Sequence, residues 1–566
     1  MGFPFAKLLF ATLLTLTLGA QSIQLPTVRE KTLSNGLRVL LVERPGTGAV
    51  HTEVFLQGGR AGVSGLPPVA ADLLARTLFR RYLPAAADQK LEAALKQEGG
   101  SFEALRLEAL RLARAPGEAP ATEYQNLKAL HDQALAAILE ELRPLEAWDE
   151  LDALGASRRV VRVEADFLAQ GQDLPAASLL PWCQLECARL MRLPMGRFPL
   201  ERERLVGELE AGAPPVPTSI SFLLATALAG RPYAQAGDCQ RPSIEALRWE
   251  DLKLFAQEAV VPERITLVVV GDLQADALLP ALEREFGKLK GGTEGALRKE
   301  ELLRFYLDDP TSSREAPGGR RLTVSTLGQA RLYFGWVVPP ANHPDGLALQ
   351  ALAQVLGVAP SSRLKQNLLG PQGLARRVDL QLGVPGARDG NLLVLEAEPA
   401  DGRSLEELEQ AVQGEILRIG REPMSEGEVR RAQALLESAQ LRLQEDAGTL
   451  AYTLGAAHCQ GGDWRLAFRA LEAGWDLKAG DLQGAARTYL VPGRCTITQL
   501  GPDPLLVPLD RTETRMLQVL TTLVQGKLGL EARAQNVLRE AMRQMRMLTP
   551  AEREQTLKLL EAQVRP

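Results

Sequence analysis

The sequence predicts an α+β fold built from a duplicated unit. Two observations carry this. A chain of 566 residues exceeds what one hydrophobic core holds, so three or four structural units are expected. Two long stretches also read in the same order, roughly strand, strand, helix, strand, helices, strand. Apolar content of 45% with 24% charged residues is ordinary for a globular protein.

In the first stretch, "LSNGLRVLLVERPG" is a strand with a turn signal, Asn35-Gly36, ahead of it. "GAVHTEVFLQGGR" is a second, partly alternating strand. "SGLPPVAADLLARTLF", Ser64 to Phe79, reads as a helix opened by a proline pair. From Asp88 to about Glu146 the chain turns rich in Ala, Leu, Glu and Arg, broken once at Ala115 to Pro120. This predicts an antiparallel helical hairpin over about 86–147, whose second arm sets Leu127, Leu130, Ile138 and Leu142 at helical spacing. "LDALGASRRVVRVEADFLAQGQDL" returns to strand character. The next helix carries Leu179, Leu180, Cys183 and Cys187 on its apolar face. "FPLERERLVGELEAG" starts another helix. "RITLVVVGDL" is a buried strand, followed by the helix "QADALLPALEREFGKL".

Residues 296–320 are polar and rich in Pro, Gly and Ser, a linker. The pattern then restarts with strands "RRLTVST" and "ARLYFGWVV" and the helix "PDGLALQALAQVLG". The strand "NLLVLEAEP", two long helices and the strand "GRCTITQLGPD" follow. The predicted units are therefore 21–295 and 321–505, with a helical tail over 506–566. In that tail Thr549-Pro550-Ala551-Glu552 is a strong helix start.

The N-terminus reads as an export signal over residues 1–20: Lys7, a short apolar core, and small residues at Gly19 and Ala20. The alternative is an uncleaved anchor, for which the run is short. An extracytoplasmic, periplasm-like location is expected, with no membrane span once the signal is removed. Formal net charge is −5, and near −6 without Lys7, which argues against nucleic acid as a partner. Five cysteines, Cys183, Cys187, Cys239, Cys459 and Cys495, are too few and uneven for a disulfide framework. Four histidines, His51, His131, His343 and His458, lie far apart. No HExxH or HxxEH occurs, which weighs against independent zinc chemistry.

Taken together, "LSNGLRVLLVE", "LDALGASRRVVRVEADF", "FPLERERLVGELE", "RPYAQAGDCQRPSIEALRWEDLKLF", "ERITLVVVGDL" and "PSSRLKQNLLGPQGLARRV" resemble the insulinase, pitrilysin and mitochondrial-processing-peptidase family of inverted-zincin metallopeptidases. The resemblance covers about residues 28–290 and 321–503, with the helical hairpin as an insertion. It implies two repeated insulinase-like (processing-peptidase-like) α+β domains facing a chamber. It also implies an H-x-x-E-H motif on the opening helix, where two histidines bind zinc and the glutamate takes a proton from metal-bound water. A glutamate from a later helix would complete the site.

This chain departs from that pattern. The first histidine position is Pro68, the base position Ala71 and the second histidine position Asp72. On the later helix the paired glutamates are read as Glu203 and Glu210, with Glu210 as third ligand. Where the family carries a substrate-holding arginine and tyrosine, this chain has Leu369 and Arg376. Zinc is expected for the family and is not supported by these residues. A hard cation between Asp72 and Glu210 is the weaker alternative to a hydrogen-bonded remnant. The expected function is that of a non-catalytic insulinase-family subunit that shapes a peptide-binding chamber with an H-x-x-E-H-bearing partner as a heterodimer. The alternatives are a stand-alone protein binding extended peptides, and an active endopeptidase with a displaced site.

Overall fold

The computed structural model describes residues 25–291, with breaks at 64, 81–84, 115–121, 144–148, 212–214 and 216–217. It describes 319–502, with breaks at 327–329, 370–372, 470 and 472–475, and, beyond those, 512, 515–520, 541, 545 and 548–564. The signal over 1–20 and nearly all of the linker over 296–320 lie outside these residues.

The fold is α+β, with two mixed sheets. The first has the order β1-β2-β6-β3-β5-β4. Its strands are β1 (Val28–Thr32), β2 (Arg38–Glu43), β3 (Ala49–Gln57), β4 (Ser157–Val163), β5 (Phe167–Pro175) and β6 (Ile265–Gly271). Asn35-Gly36 turns β1 into β2, and Gly36 takes φ +93°, a region open to glycine. β6 is buried along its whole length, as its run of Ile, Leu and Val requires between two covered faces. β1 was not foreseen: "VREKT" is mostly exposed and carries no apolar alternation.

The helices of the first half are α1 (Val69–Phe79), α2 (Ala85–Arg114), α3 (Thr122–Leu142), α4 (Glu150–Ala153), α5 (Leu179–Arg192), α6 (Phe198–Glu210), α7 (Thr218–Ala227), α8 (Arg241–Glu245), α9 (Trp249–Ala259) and α10 (Ala275–Phe286). One face of the sheet packs against α1, α5, α9 and α10 through a core that includes Leu41, Val54, Leu74, Trp182, Phe255 and Leu282. α2 and α3 form the expected hairpin. Its buried stripe on α3 is His131, Ala134, Ile138 and Leu142, and Leu130 is 56% exposed. Residue 130 sits one step, about 100°, round the helix from 131, which moves it off the packed face. Leu180 on α5 is likewise exposed, while Cys183 and Cys187 are buried.

The second sheet has the order β7-β11-β8-β10-β9. Its strands are β7 (Arg321–Thr326), β8 (Arg331–Val338), β9 (Ala375–Val384), β10 (Asn391–Pro399) and β11 (Cys495–Pro502). Its helices are α11 (Gly346–Ala353), α12 (Arg363–Leu368), α13 (Leu405–Arg421), α14 (Glu426–Leu443), α15 (Ala447–Gly461) and α16 (Ala479–Tyr489). Capping boxes at Ser404/Glu407 and Ser425/Glu428 start α13 and α14. α17 (Pro550–Val564) begins at the predicted cap, where the Thr549 amide donates to Glu552.

The two halves exchange one helix each. α15, from the second half, lies on the free face of the first sheet: Leu450, Ala451 and Leu454 pack with Phe55, Phe167, Val268 and Val270. α7, from the first half, lies on the free face of the second sheet: Leu223 and Leu224 pack with Tyr333, Leu392 and Val394. Gly455 permits the first approach, since a Cβ there would lie 2.0 Å from the Phe55 ring. A further clasp joins the halves where Asp166 and the Tyr233 hydroxyl accept from the backbone of Ala387, Arg388 and Asp389. Among the described residues no helix is long and apolar enough to cross a membrane.

Candidate functional site

α1 begins at the degenerate motif. Pro68 takes the N-cap position with φ −52°, and its side chain makes no capping hydrogen bond. Ala71 is fully buried and offers no polar atom. Asp72 is 3% exposed, so its charge requires a partner. Arg60, from the short turn after β3, supplies it in a bidentate pair. Nε donates to Oδ2 at 2.9 Å and Nη2 to Oδ1 at 2.7 Å.

The stripe continues at four-residue steps, the spacing of one helix face. Arg76 forms a bidentate pair with Glu208 on α6, at 2.8 and 2.7 Å. Arg80 donates to Glu201 at 2.8 Å. Glu201 is fully buried and also receives Arg197 at 3.0 Å and Arg204 at 3.1 Å. Hydrogen bonding from Arg76 holds the Glu208 carboxyl below the usual carboxylate range and raises the Arg76 pKa in return.

This geometry corrects the reading of α6. Glu201 and Glu208, seven apart, face α1; Glu203 and Glu210 lie two residues on, about 200° round the helix. Glu210 pairs with Arg241 on the exposed side, its side chain 57% accessible. Glu203 is half exposed beside Arg202, at 3.8 Å. The carboxylate that meets the motif helix is Glu208, while Glu210 points to the exposed side against Arg241. The sequence reading missed Glu208, Arg60 and Arg76. Two glutamate pairs with the same spacing are indistinguishable without knowing which face is packed.

The zinc set of the family does not fit these residues. Pro68 and Ala71 supply no donor, and the oxygens of Asp72 and Glu208 accept from Arg60 and Arg76. Among the described residues no group of three or more His, Cys, Asp or Glu is placed to hold a metal. Cys239 adjoins the pair; burial, with the Asp72 charge, pushes its thiol up to about 12, so it is no nucleophile at neutral pH. In the second half, Leu369 ends α12 and is 40% exposed. Arg376, on β9, donates to Glu398 at 2.7 Å.

Fold and site together define a metallopeptidase-like chain of two α+β units whose opening helix carries arginine–carboxylate pairs at the positions read as the degenerate motif. The comparisons name the class. Residues 247–436 match the family model described as the Peptidase M16 inactive domain. A zinc protease of Helicobacter pylori, PqqE, is 28% identical over 131 residues, which is 22% of this chain and 27% of that protein. The crystal structure of a protease from Helicobacter pylori superposes with TM-score 0.65 at 18% identity, over 85% of this chain and all of the other. A peptidase M16 inactive domain from Pseudomonas fluorescens gives 0.60 at 15% identity, over 84% and 98%. A chain of complex III2 from Candida albicans gives 0.57 at 15% identity, over 84% and 96%. The chain thus carries a Peptidase M16 inactive-domain match over residues 247–436 and shares the fold of M16-like peptidases.

Proposed function

We propose that the chain is a non-catalytic insulinase-family subunit that shapes a peptide-binding chamber together with a homologue carrying H-x-x-E-H. One observation carries this. At the point where the family places metal and base, a row of arginine–carboxylate pairs, the buried Arg60–Asp72 and the half-buried Arg76–Glu208, supplies the positive charge instead. Such a row keeps α1 docked on α6 and gives no activated water, so the fold survives without the chemistry. The Candida albicans relative is a chain of a larger complex, which supports a partnered role for this fold. We further propose that the chain works without zinc and is exported to a periplasm-like compartment, as residues 1–20 suggest.

The test is reconstitution. The purified chain alone should leave peptide substrates intact, with or without added zinc. Mixed with an H-x-x-E-H homologue from the same source, it should co-elute and raise that partner's cleavage rate. Chelator-sensitive cleavage by the chain alone, with stoichiometric zinc, would overturn the proposal.

A second reading rests on β4, which is an edge strand of the first sheet with Val160 and Val161 each 38% exposed. An open edge of this kind can add an extended peptide. Peptide binding by a solitary chain that gains nothing from the homologue would favour that reading.

A further inference from the structure

A second polar cluster lies away from the motif helix, where α15 crosses the first sheet. At its centre is His51 on β3, 5% exposed. Its Nδ1 lies 2.7 Å from Asp173 Oδ1 on β5, and its Nε2 faces Glu53 Oε2 at 3.6 Å. Glu53 is fully buried, and its other oxygen accepts from Arg162 on β4 at 2.7 Å. Asp173 also meets Arg158 on β4 at 3.4 Å, and Arg158 reaches on to Asp446 at 2.9 Å. Asp446 is the N-cap of α15, accepting from the Thr449 amide at 2.7 Å. The α15 backbone rests on the imidazole itself, since a Cβ on Gly448 would lie 3.1 Å from His51 Cε1. Tyr452 of α15 covers the Arg162 guanidinium at 4.3 Å, and Glu164 in the turn after β4 lies beside Tyr452.

Along the line of contacts from Arg162 through His51 to Asp446, the charges balance only in one protonation state. Glu53, Asp173 and Asp446 face Arg158, Arg162 and, when protonated, His51. A neutral imidazole has one N–H and one lone pair. With carboxylates opposite both nitrogens, the neutral ring sets a lone pair against an anion and leaves a buried negative charge uncompensated. We propose that His51 is a proton-operated latch that fastens the first turn of α15 to the first sheet, and so couples the seating of the two halves to the pH of the compartment. The protonated ring hydrogen-bonds Asp173 and offsets the Glu53 charge across 3.6 Å. That frees Arg158 to hold Asp446 and the α15 N-terminus.

The sign follows from the cluster. Burial opposes the charge on His51, but Glu53 and Asp173 outweigh it, so the folded pKa lies above the unfolded one. The latch is therefore fully engaged below the unfolded value of about 6.5 and released as pH rises through the folded value. His458, at the other end of α15, is held down to about 4 by burial and stays neutral in the folded chain between pH 5.5 and 8.

The test is hydrogen exchange of the full chain at pH 5.5 and pH 8, corrected for intrinsic rates and read on the amides of Leu450 to Thr453. In the wild type, protection there should be greater at pH 5.5 than at pH 8, the direction that a raised histidine pKa dictates. His51→Gln should abolish the difference. Asp173→Asn keeps the histidine and removes one carboxylate, so it should shift the step to lower pH; it serves if His51→Gln does not fold. A wild type without a pH step in this window overturns the proposal. So does a step that persists unchanged in both variants.

Discussion

At the scale of single residues, the degenerate site is a problem of buried charge. Asp72 has almost no access to water, and Arg60 is its bidentate partner. Removing one member of such a pair strands the other. Arg60→Ala should cost about 3–5 kcal/mol, read as a shift of the urea midpoint, whereas an apolar double replacement such as Arg60→Met with Asp72→Leu should be near neutral. A second prediction concerns restoration. Pro68→His, Ala71→Glu and Asp72→His in one chain rebuild the motif on α1, but Arg60 loses its partner and Arg76 still holds Glu208. This triple variant should bind less than stoichiometric zinc by metal analysis. Adding Arg60→Ala and Arg76→Ala should raise the content toward one zinc per chain, with Glu208 as the protein carboxylate. Full zinc loading of the triple variant alone would show that the arginines do not block the site. Three of the positions, Pro68, Ala71 and Asp72, were legible in the sequence because a missing side chain needs no structure to recognise. The third ligand position was read as Glu210 because α6 repeats its glutamates two residues apart, and only packing against α1 selects Glu208.

At the scale of elements, the exchanged helix α15 shows what pattern reading reaches and what it does not. Its neighbours α13 and α14 announce themselves by capping boxes and strong periodicity. α15 carries small residues and little polarity contrast, and its destination is a sheet formed some 400 residues earlier in the chain, as the Arg44 contact with Glu445 at |i−j| of 401 illustrates. Long-range docking leaves no local signal. The edge strands β1 and β9 were missed for a related reason: polar residues interrupt both, so neither reads as an apolar run. Gly455 is where the docking is tightest. Gly455→Ala should force the α15 backbone or the Phe55 ring to move and cost about 1–3 kcal/mol despite alanine's better helix propensity. Gly414→Ala on α13, where an added Cβ meets nothing within 4 Å, is the control and should be stabilising by about 0.5–1 kcal/mol. Equal effects at the two sites would mean that α15 seats more loosely than the contact with Phe55 requires. The insertion α2–α3 is likewise anchored rather than free. Glu98 meets Arg202 of α6 at 2.7 Å with both side chains buried, and Arg202 lies over Phe102 at 4.2 Å.

At the scale of the whole molecule, both histidines that bear on α15 connect the halves, and they do so with opposite signs. His51 favours the docked state when protonated. His458 is 7% exposed, its Nδ1 has no hydrogen-bond partner among the described residues, and burial, aided by Arg38, holds its pKa near 4. The unfolded chain takes up a proton at this residue below about pH 6.5, while the folded chain resists until about pH 4. Between those values the unfolded state binds more protons, so stability falls as pH falls. The stabilisation from neutral His458 is fully present above pH 6.5 and is lost progressively toward pH 4, on the order of 3 kcal/mol. Urea unfolding at pH 7, 5.5 and 4 should therefore show a smaller acid loss for His458→Gln than for the wild type, with the two converging at the lowest pH. His51→Gln should do the reverse above pH 6.5, flattening the decline that the wild type shows as the latch releases. If the His458→Gln and wild-type curves run parallel across this range, the histidine is hydrated in the folded chain, and the seat of α15 on the first sheet is more open than its packing against Phe55 and Phe167 indicates.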